Sequence, residues 1–196
     1  MRIGIDIDGV LTDSEKNMID YGTKFCIENN LTYRVKPEKF DGDKVLGISR
    51  ENEAKFWTKY LGRYIRETKP RDLAKEVIDK LKEERYEIYL ITARDEWKNQ
   101  KEKGVSMRED TKKWLDENGI YYDKLIFSEG GKLPYCVGNY IDVMIEDAPK
   151  FIKEVSRKIP VLCYHCTYNQ YVKGRNITRV YSWYDIYYKI INNLYK

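Results

Sequence analysis

Residues 1–12 read MRIGIDIDGVLT, a strand pattern that ends in two acidic residues. A buried strand is predicted by three isoleucines that alternate with other residues, Ile3, Ile5 and Ile7. Asp6 and Asp8 lie near its carboxyl end, where Gly9 predicts a turn. In an open α/β sheet, ligands bind just outside the carboxyl ends of the strands. Two neighbouring carboxylates repel each other there, and a divalent cation with oxygen ligands would compensate them.

The acidic pair also has a purely structural interpretation as a solvated turn after a strand, and calcium-binding loops contain Asp-x-Asp as well. Further chemical groups at the ends of other strands would favour a functional site. The rest of the chain therefore decides between the two interpretations.

The composition is that of a folded globular protein. A chain of 196 residues can form one domain with an insertion, and 42% hydrophobic residues argue against disorder. The net charge of +4 is spread along the chain, which suits a small anionic substrate but does not indicate polymeric nucleic acid. An apolar run of about 18 residues is absent, so we expect no membrane span. No leader pattern precedes the first strand, and we expect a cytoplasmic protein.

Four cysteines occur, and two of them form the motif Cys163-Tyr164-His165-Cys166, which includes the single histidine. Such a motif could bind zinc or carry out redox chemistry, but it lacks a second ligand pair. We favour small apolar side chains at the end of a strand that begins near Val161.

Apolar periodicity predicts helices over residues 14–30, 50–64, 73–84, 107–118, 149–157 and 182–194. It predicts further strands over 87–92, 124–127, 140–146 and 160–164. Helix and strand alternate after Pro70, which predicts an α/β fold with a parallel sheet covered on both faces. Residues 14–68 show no strand pattern and are predicted to form a helical insertion. Residues 95–106 are polar and lysine-rich, and we predict a loop or an extended helix start there.

Other strand ends carry groups that could act on a phosphate. Thr92 closes one predicted strand, and its hydroxyl could donate to a phosphoryl oxygen. Arg94, two residues later, could contact the substrate or pair with a nearby acid. Lys132 follows two glycines, so its ammonium could approach an anion closely. Glu146 and Asp147 follow another apolar strand and could bind a metal, or Asp147 could cap the next helix.

The order Asp-x-Asp, Thr92, Lys132 and Glu146-Asp147 resembles the four motifs of the haloacid dehalogenase (HAD) superfamily of aspartate-nucleophile phosphotransferases. The resemblance implies a three-layer, Rossmann-like parallel sheet. Residues 14–68 resemble the small C1-type cap of that superfamily, with residues 1–13 and 69–196 as the catalytic core. The motifs DIDGVL and IED are most similar to the cytosolic-type, deoxyribonucleotidase-like 5′-nucleotidase branch, which includes little-characterised bacterial nucleotidases.

The resemblance also implies a mechanism. Asp6 would attack phosphorus and become an aspartyl-phosphate. Asp8 would protonate the leaving oxygen and then activate the water that hydrolyses the intermediate. Thr92 and Lys132 would bind the phosphoryl oxygens, with Gly9, Ala93 and Arg94 as further candidates for substrate contact.

The implied cofactor is Mg²⁺, held by the Asp6 carboxylate, the Asp8 backbone carbonyl and Asp147. Glu146 could contribute through water. The fourth motif contains Glu-Asp where the superfamily pattern has Asp-Asp, and this departure leaves open which acid touches the metal; we expect Asp147.

The predicted function is a magnesium-dependent phosphatase, and a nucleoside monophosphate is the expected substrate. Two alternatives stay open, namely a HAD phosphatase for another small phosphate such as a sugar phosphate, and a HAD-fold binding protein without catalysis. Four aromatic residues of the insertion could stack a base, although core packing is the favoured interpretation for most of them: Phe25, Phe56, Trp57 and Tyr60. A tyrosine-rich region after residue 163 could form a homo-oligomer surface or pack into the core.

Overall fold

The computed structural model describes residues 1–94 and 106–195, so most of the loop or helix start predicted over 95–106 lies outside the described residues. The strands are β1 (Arg2–Ile5), β2 (Glu87–Thr92), β3 (Lys124–Phe127), β4 (Val143–Glu146), β5 (Val161–Tyr164) and β6 (Ile177–Val180). They form one parallel sheet in the order β3-β2-β1-β4-β5-β6. The chain extends the sheet from β1 toward β3 and then returns to the other side of β1. This reversal between β1 and β4 is a topological switch point, where α/β proteins bind ligands.

The helices are α1 (Ser14–Glu28), α2 (Gly42–Leu46), α3 (Arg50–Glu67), α4 (Ala74–Glu83), α5 (Met107–Glu117), α6 (Leu133–Gly138), α7 (Pro149–Val155) and α8 (Trp183–Ile191). One core cluster joins β1 and its neighbours to α4, α5 and α8. A second cluster joins residues of β2, β4 and β5 to α6 and α7. The two clusters give the predicted three-layer α/β architecture. No described helix is long and apolar enough to cross a membrane.

The helices α1, α2 and α3 are inserted between β1 and β2 and have an apolar cluster of their own, which includes Phe25, Leu46 and Phe56. The chain leaves the sheet and comes back to it at one place. Thr12 and Pro70 form an isolated antiparallel bridge. Arg71 donates its backbone N–H to the Leu11 carbonyl at 2.7 Å. The division into core and cap domains stays a prediction, although the helices lie where the cap was expected.

The structure corrects several predicted boundaries. The strand predicted over 140–146 begins only at Val143, because Tyr140 has a positive φ of 55° and belongs to a turn. Asp13, just before the helix predicted from residue 14, caps α1 by accepting the Lys16 N–H. Leu73, the first residue of the helix predicted over 73–84, precedes α4 and is 50% exposed. The short elements α2, α6 and β6 were not predicted.

Candidate active site

A buried lysine binds two carboxylates at the carboxyl edge of the sheet. Lys132 Nζ lies 2.6 Å from Asp6 Oδ1 and 2.6 Å from Glu146 Oε2. Asp6 follows β1, Glu146 ends β4, and Lys132 precedes α6. All three side chains are almost completely inaccessible to solvent. The expected proximity of these residues is therefore observed, with the lysine acting as the cation between two adjacent strands.

The charges in this cluster shift one another's pKa values. Burial and the neighbouring Glu146 raise the pKa of Asp6 to about 8, against the opposing effect of Lys132. Burial alone would lower the pKa of Lys132, but Asp6 and Glu146 raise it, so the ammonium stays charged. Burial and the same two acids raise the pKa of Asp147 well above its usual range. The cluster thus has an excess of buried acid over positive charge.

Glu146 and Asp147 have different roles in this arrangement. Glu146 Oε1 accepts the backbone N–H groups of Asp147 and Ala148, each at 2.9 Å, while its other oxygen binds Lys132. Asp147 Oδ2 accepts a hydrogen bond from the Tyr168 hydroxyl. Its Oδ1 is buried and has no hydrogen-bond partner among the described residues. A buried carboxylate oxygen without a partner is costly unless a cation compensates it.

These residues fit a divalent metal. Ligand atoms of Asp6, Glu146 and Asp147 lie within 4.8 Å of one another. The oxygen donors and the excess acid suit Mg²⁺, which prefers carboxylate ligands. Because both oxygens of Glu146 already have partners, Asp6 and Asp147 are the better candidates for direct ligands. This agrees with the choice of Asp147 over Glu146, which stays a prediction.

Gly9 makes room for this arrangement. Its φ of +95° lies in a region that side chains other than glycine rarely adopt, and a Cβ built there would lie 2.1 Å from Asp147 Oδ2. The backbone after β1 therefore passes directly against Asp147. The turn that carries Asp6 and Asp8 can approach the end of β4 only with glycine at this position.

Asp8 lies in a second polar cluster. Its carboxylate is 23% exposed and binds the Arg94 guanidinium through Nε at 2.9 Å and Nη2 at 2.8 Å. Tyr64, from α3, donates its hydroxyl to Asp8 Oδ1 at 2.7 Å. Burial opposes ionisation, but Arg94 and Tyr64 outweigh it and lower the pKa of Asp8. Of the two alternatives for Arg94, substrate contact or pairing with an acid, the structure shows the pair with Asp8.

Thr92 is buried at the end of β2, and its hydroxyl accepts the Arg94 backbone N–H at 3.2 Å. Its carbonyl accepts the Ser128 N–H at 2.8 Å, which joins the loops after β2 and β3. The Arg94 side chain also donates a hydrogen bond from Nη1 to the Thr111 hydroxyl at 2.9 Å. Phosphate binding by Thr92 and Arg94 stays a prediction, as do the other assigned roles.

A cavity of about 570 Å³ opens above these groups, a volume in the range of small-molecule sites. Its floor contains Asp6, Asp8, Ala93, Arg94, Lys132 and Asp147. The inserted helices supply apolar wall residues, among them Met18, Val45, Trp57, Leu61 and Tyr64. Lys39 and Arg50 add positive charge to the lining. The cavity thus combines an acidic floor with apolar walls.

Trp57 is the member of the predicted aromatic group that lines the cavity. Phe25, Phe56 and Tyr60 are at most 6% exposed and pack inside the insertion, as favoured for most of the group. The cysteines of the Cys163–Cys166 motif are part of the core, since both are buried free thiols and belong to different core clusters. Burial raises the pKa of Cys163 to about 11.

The tyrosine-rich region divides between core and surface. Tyr164 and Tyr168 are buried, whereas Tyr171, Tyr181 and Tyr188 are more than half exposed. A homo-oligomer through these exposed rings stays a prediction.

Sequence analysis missed the residues that hold the site in place, Tyr64, Thr111, Ser128 and Tyr168. Ser128 and Tyr168 follow β3 and β5 at the carboxyl edge of the sheet, a position that could have identified them. Tyr64 and Thr111 lie on helices, and no sequence signal indicates their partners.

The chain matches the family model for 5′ nucleotidase, deoxy (pyrimidine), cytosolic type C protein over residues 1–194. It therefore belongs to this family, and it is a phosphatase of the HAD superfamily. A nucleotidase of Clostridium acetobutylicum is 29% identical, covering 100% of this chain and 96% of its own. A candidate nucleotidase of Bacillus subtilis is 28% identical, covering 98% and 95%.

Solved structures share the fold. A haloacid dehalogenase-like hydrolase from Streptococcus pneumoniae superposes with a TM-score of 0.65 at 14% identity, covering 98% of this chain and 97% of its own. A HAD hydrolase from Bacillus subtilis that was solved bound to magnesium gives a TM-score of 0.60 at 14% identity, covering 97% and 98%. The expected HAD fold is confirmed.

Proposed function

We propose that this protein is a magnesium-dependent 5′-nucleotidase that acts through an aspartyl-phosphate on Asp6. The observation that carries the proposal is the buried cluster in which Lys132 binds Asp6 and Glu146 while Asp147 Oδ1 faces no partner among the described residues. This cluster forms part of the cavity floor. Family membership, relatives named as nucleotidases and the apolar walls support a nucleoside monophosphate as substrate.

In the first step, a carboxylate oxygen of Asp6 attacks phosphorus as the bond to the leaving oxygen breaks. Lys132 holds Asp6 Oδ1 and fixes the orientation of the carboxylate. Asp8 gives a proton to the leaving oxygen, so the nucleoside departs as an alcohol. Arg94 and Tyr64 favour ionised Asp8 in the free protein. The negative phosphate opposes that ionisation and supplies a reason for Asp8 to be protonated in the complex.

In the second step, Asp8 takes a proton from water, which attacks the phosphorus of the aspartyl-phosphate and releases inorganic phosphate. The pair with Arg94 suits this step because the base must be ionised. Bound Mg²⁺, held by Asp6, Asp147 and the Asp8 carbonyl, would supply positive charge to the phosphoryl oxygens. Glu146 keeps Lys132 in place beside the nucleophile.

The test is phosphate release from ribo- and deoxyribonucleoside monophosphates, sugar phosphates and an aryl phosphate. Each is assayed with Mg²⁺, with chelator, and with the variant Asp6→Asn. Asp79→Asn is the matched control, because Asp79 is an exposed acid in a surface pair with Lys75. We expect magnesium-dependent release that Asp6→Asn abolishes and Asp79→Asn retains, with nucleotides as the best substrates. Release that survives Asp6→Asn would refute the aspartate mechanism, and a preference for sugar phosphates would refute the nucleotide assignment.

A further inference from the structure

Tyr168 is a buried residue outside the predicted site whose hydroxyl binds the candidate metal ligand Asp147. It lies on the short turn Thr167–Asn169 after β5 and is 5% exposed. Its hydroxyl donates to Asp147 Oδ2. The hydrogen bond leaves Oδ1 as the oxygen of this carboxylate without a partner among the described residues.

The neighbouring residue holds the backbone of Asp147. Asn169 donates its side-chain amide to the Asp147 carbonyl at 2.8 Å and to the Tyr164 carbonyl at 2.8 Å. Arg179 in turn donates to Asn169 Oδ1 at 2.8 Å. Two consecutive residues therefore fix both the main chain and the side chain of Asp147. With its carbonyl oxygen and Oδ2 both held, the Asp147 carboxylate has little freedom to rotate before a metal arrives.

The position of the Tyr168 ring is fixed as well. The ring of Phe40, from the loop between α1 and α2, packs edge-on against it with 5.3 Å between centroids. Both rings line the cavity.

We propose that Tyr168 is a positioning residue that orients the Asp147 carboxylate for metal binding. The inference rests on the proposed function in so far as Asp147 is a ligand of Mg²⁺. Residues that hydrogen-bond metal ligands typically contribute about 10- to 100-fold to metal affinity. Loss of the hydroxyl lets Asp147 rotate and leaves Oδ2 as a second buried oxygen without a donor. The expected loss is in Mg²⁺ affinity, and not in nucleotide binding once Mg²⁺ is saturating.

The experiment measures Mg²⁺ binding by titration calorimetry on the metal-free protein, with Mg²⁺ alone as the probe. Tyr168→Phe removes one oxygen atom and keeps the ring. Tyr164→Phe is the matched control, since Tyr164 is also buried at the end of β5 but packs against Arg71, and its hydroxyl makes no hydrogen bond to Asp147 among the described residues. The rise in Tm on adding Mg²⁺ is a second measurement that needs no activity. Phosphate release against Mg²⁺ concentration then separates the apparent Mg²⁺ constant from the nucleotide KM.

We expect Tyr168→Phe to weaken Mg²⁺ binding about 10- to 100-fold, with a matching smaller rise in Tm and a nucleotide KM within about twofold of the parent. Tyr164→Phe should bind Mg²⁺ as the parent does. Unchanged affinity in Tyr168→Phe, equal losses in both variants, or a parent protein that does not bind Mg²⁺ would each overturn the inference. A parent that binds Mg²⁺ but releases no phosphate would refute the proposed function and leave the calorimetric comparison decisive for Tyr168.

Discussion

Replacing Lys132 with methionine leaves Asp6 and Glu146 buried without their cation. Lys132 Nζ lies 2.6 Å from one oxygen of each acid, and all three side chains are nearly inaccessible. At an effective dielectric constant of about 20, each contact corresponds to about 6 kcal/mol of Coulomb attraction, and the cost of desolvating the charges offsets much of it. Removing one partner of a buried ion pair typically costs about 3–5 kcal/mol. That loss is a large part of a typical unfolding free energy of about 5–15 kcal/mol.

The loss should depend on pH in a defined direction. Without Lys132, the folded-state pKa of Asp6, already about 8 in the parent, rises further. The folded variant then binds more protons than its unfolded state, so its unfolding free energy falls as pH rises above the unfolded pKa of Asp, 3.8. Because Asp6 ionises in the folded parent only near pH 8, the difference from the parent is expected to be smallest and constant at lower pH and to grow as the pH rises through 8.

Urea unfolding at pH 5 and pH 9, with chelator present, measures the difference. Lys75→Met is the matched control, because Lys75 makes an exposed pair with Asp79 whose loss should cost at most about 1 kcal/mol. A deficit below about 1 kcal/mol in Lys132→Met, or one that grows toward pH 5, would refute the assignment of Lys132 as the compensating cation.

Three further predictions concern the floor and walls of the cavity. Trp57→Ala should change the relative kcat/KM values of nucleotide substrates by about 10-fold, which corresponds to about 1.4 kcal/mol of lost stacking, and leave the Mg²⁺ dependence unchanged. A loss of stability with unaltered substrate preference would contradict this. Gly9→Ala should cost about 1–3 kcal/mol in urea unfolding and weaken Mg²⁺ binding in calorimetry, because its Cβ displaces Asp147. Arg94→Leu should raise the pKa of Asp8 and move the alkaline limb of the kcat/KM pH profile upward, because the first step needs protonated Asp8; an unmoved limb would contradict Asp8 as the acid of that step.

The sheet and the positions of its acidic residues were predictable because parallel strands end at one edge. Apolar strands followed by Asp6, Thr92 or Glu146 require these residues to converge, whatever the details of the helices. The hydrogen-bond and ion-pair partners of the charged side chains were harder to predict from the sequence. That Arg94 binds Asp8 depends on how the loop after β2 packs against α5, which local sequence does not encode.

The missed strand β6 has a physical explanation. It is a four-residue edge strand that contains Arg179 and is largely only partly buried, so its apolar alternation is weak. Its stability comes from pairing with β5 and from the hydrogen bonds of Arg179 to the turn after β5. The helices α2 and α6 span five and six residues, too few for a helical period to stand out.

The bridge between Thr12 and Pro70 has a consequence for how this protein can diversify. The bridge holds together the two places where the chain leaves the sheet and returns to it. The 57 positions from Asp13 to Lys69 therefore form a segment whose two ends lie side by side. Exchange of such a segment for one of another length leaves the strand register untouched. The reaction chemistry at the sheet edge and the substrate specificity set by the inserted segment can therefore evolve separately. A replacement segment would have to restore the hydrogen bond that Tyr64 donates to Asp8.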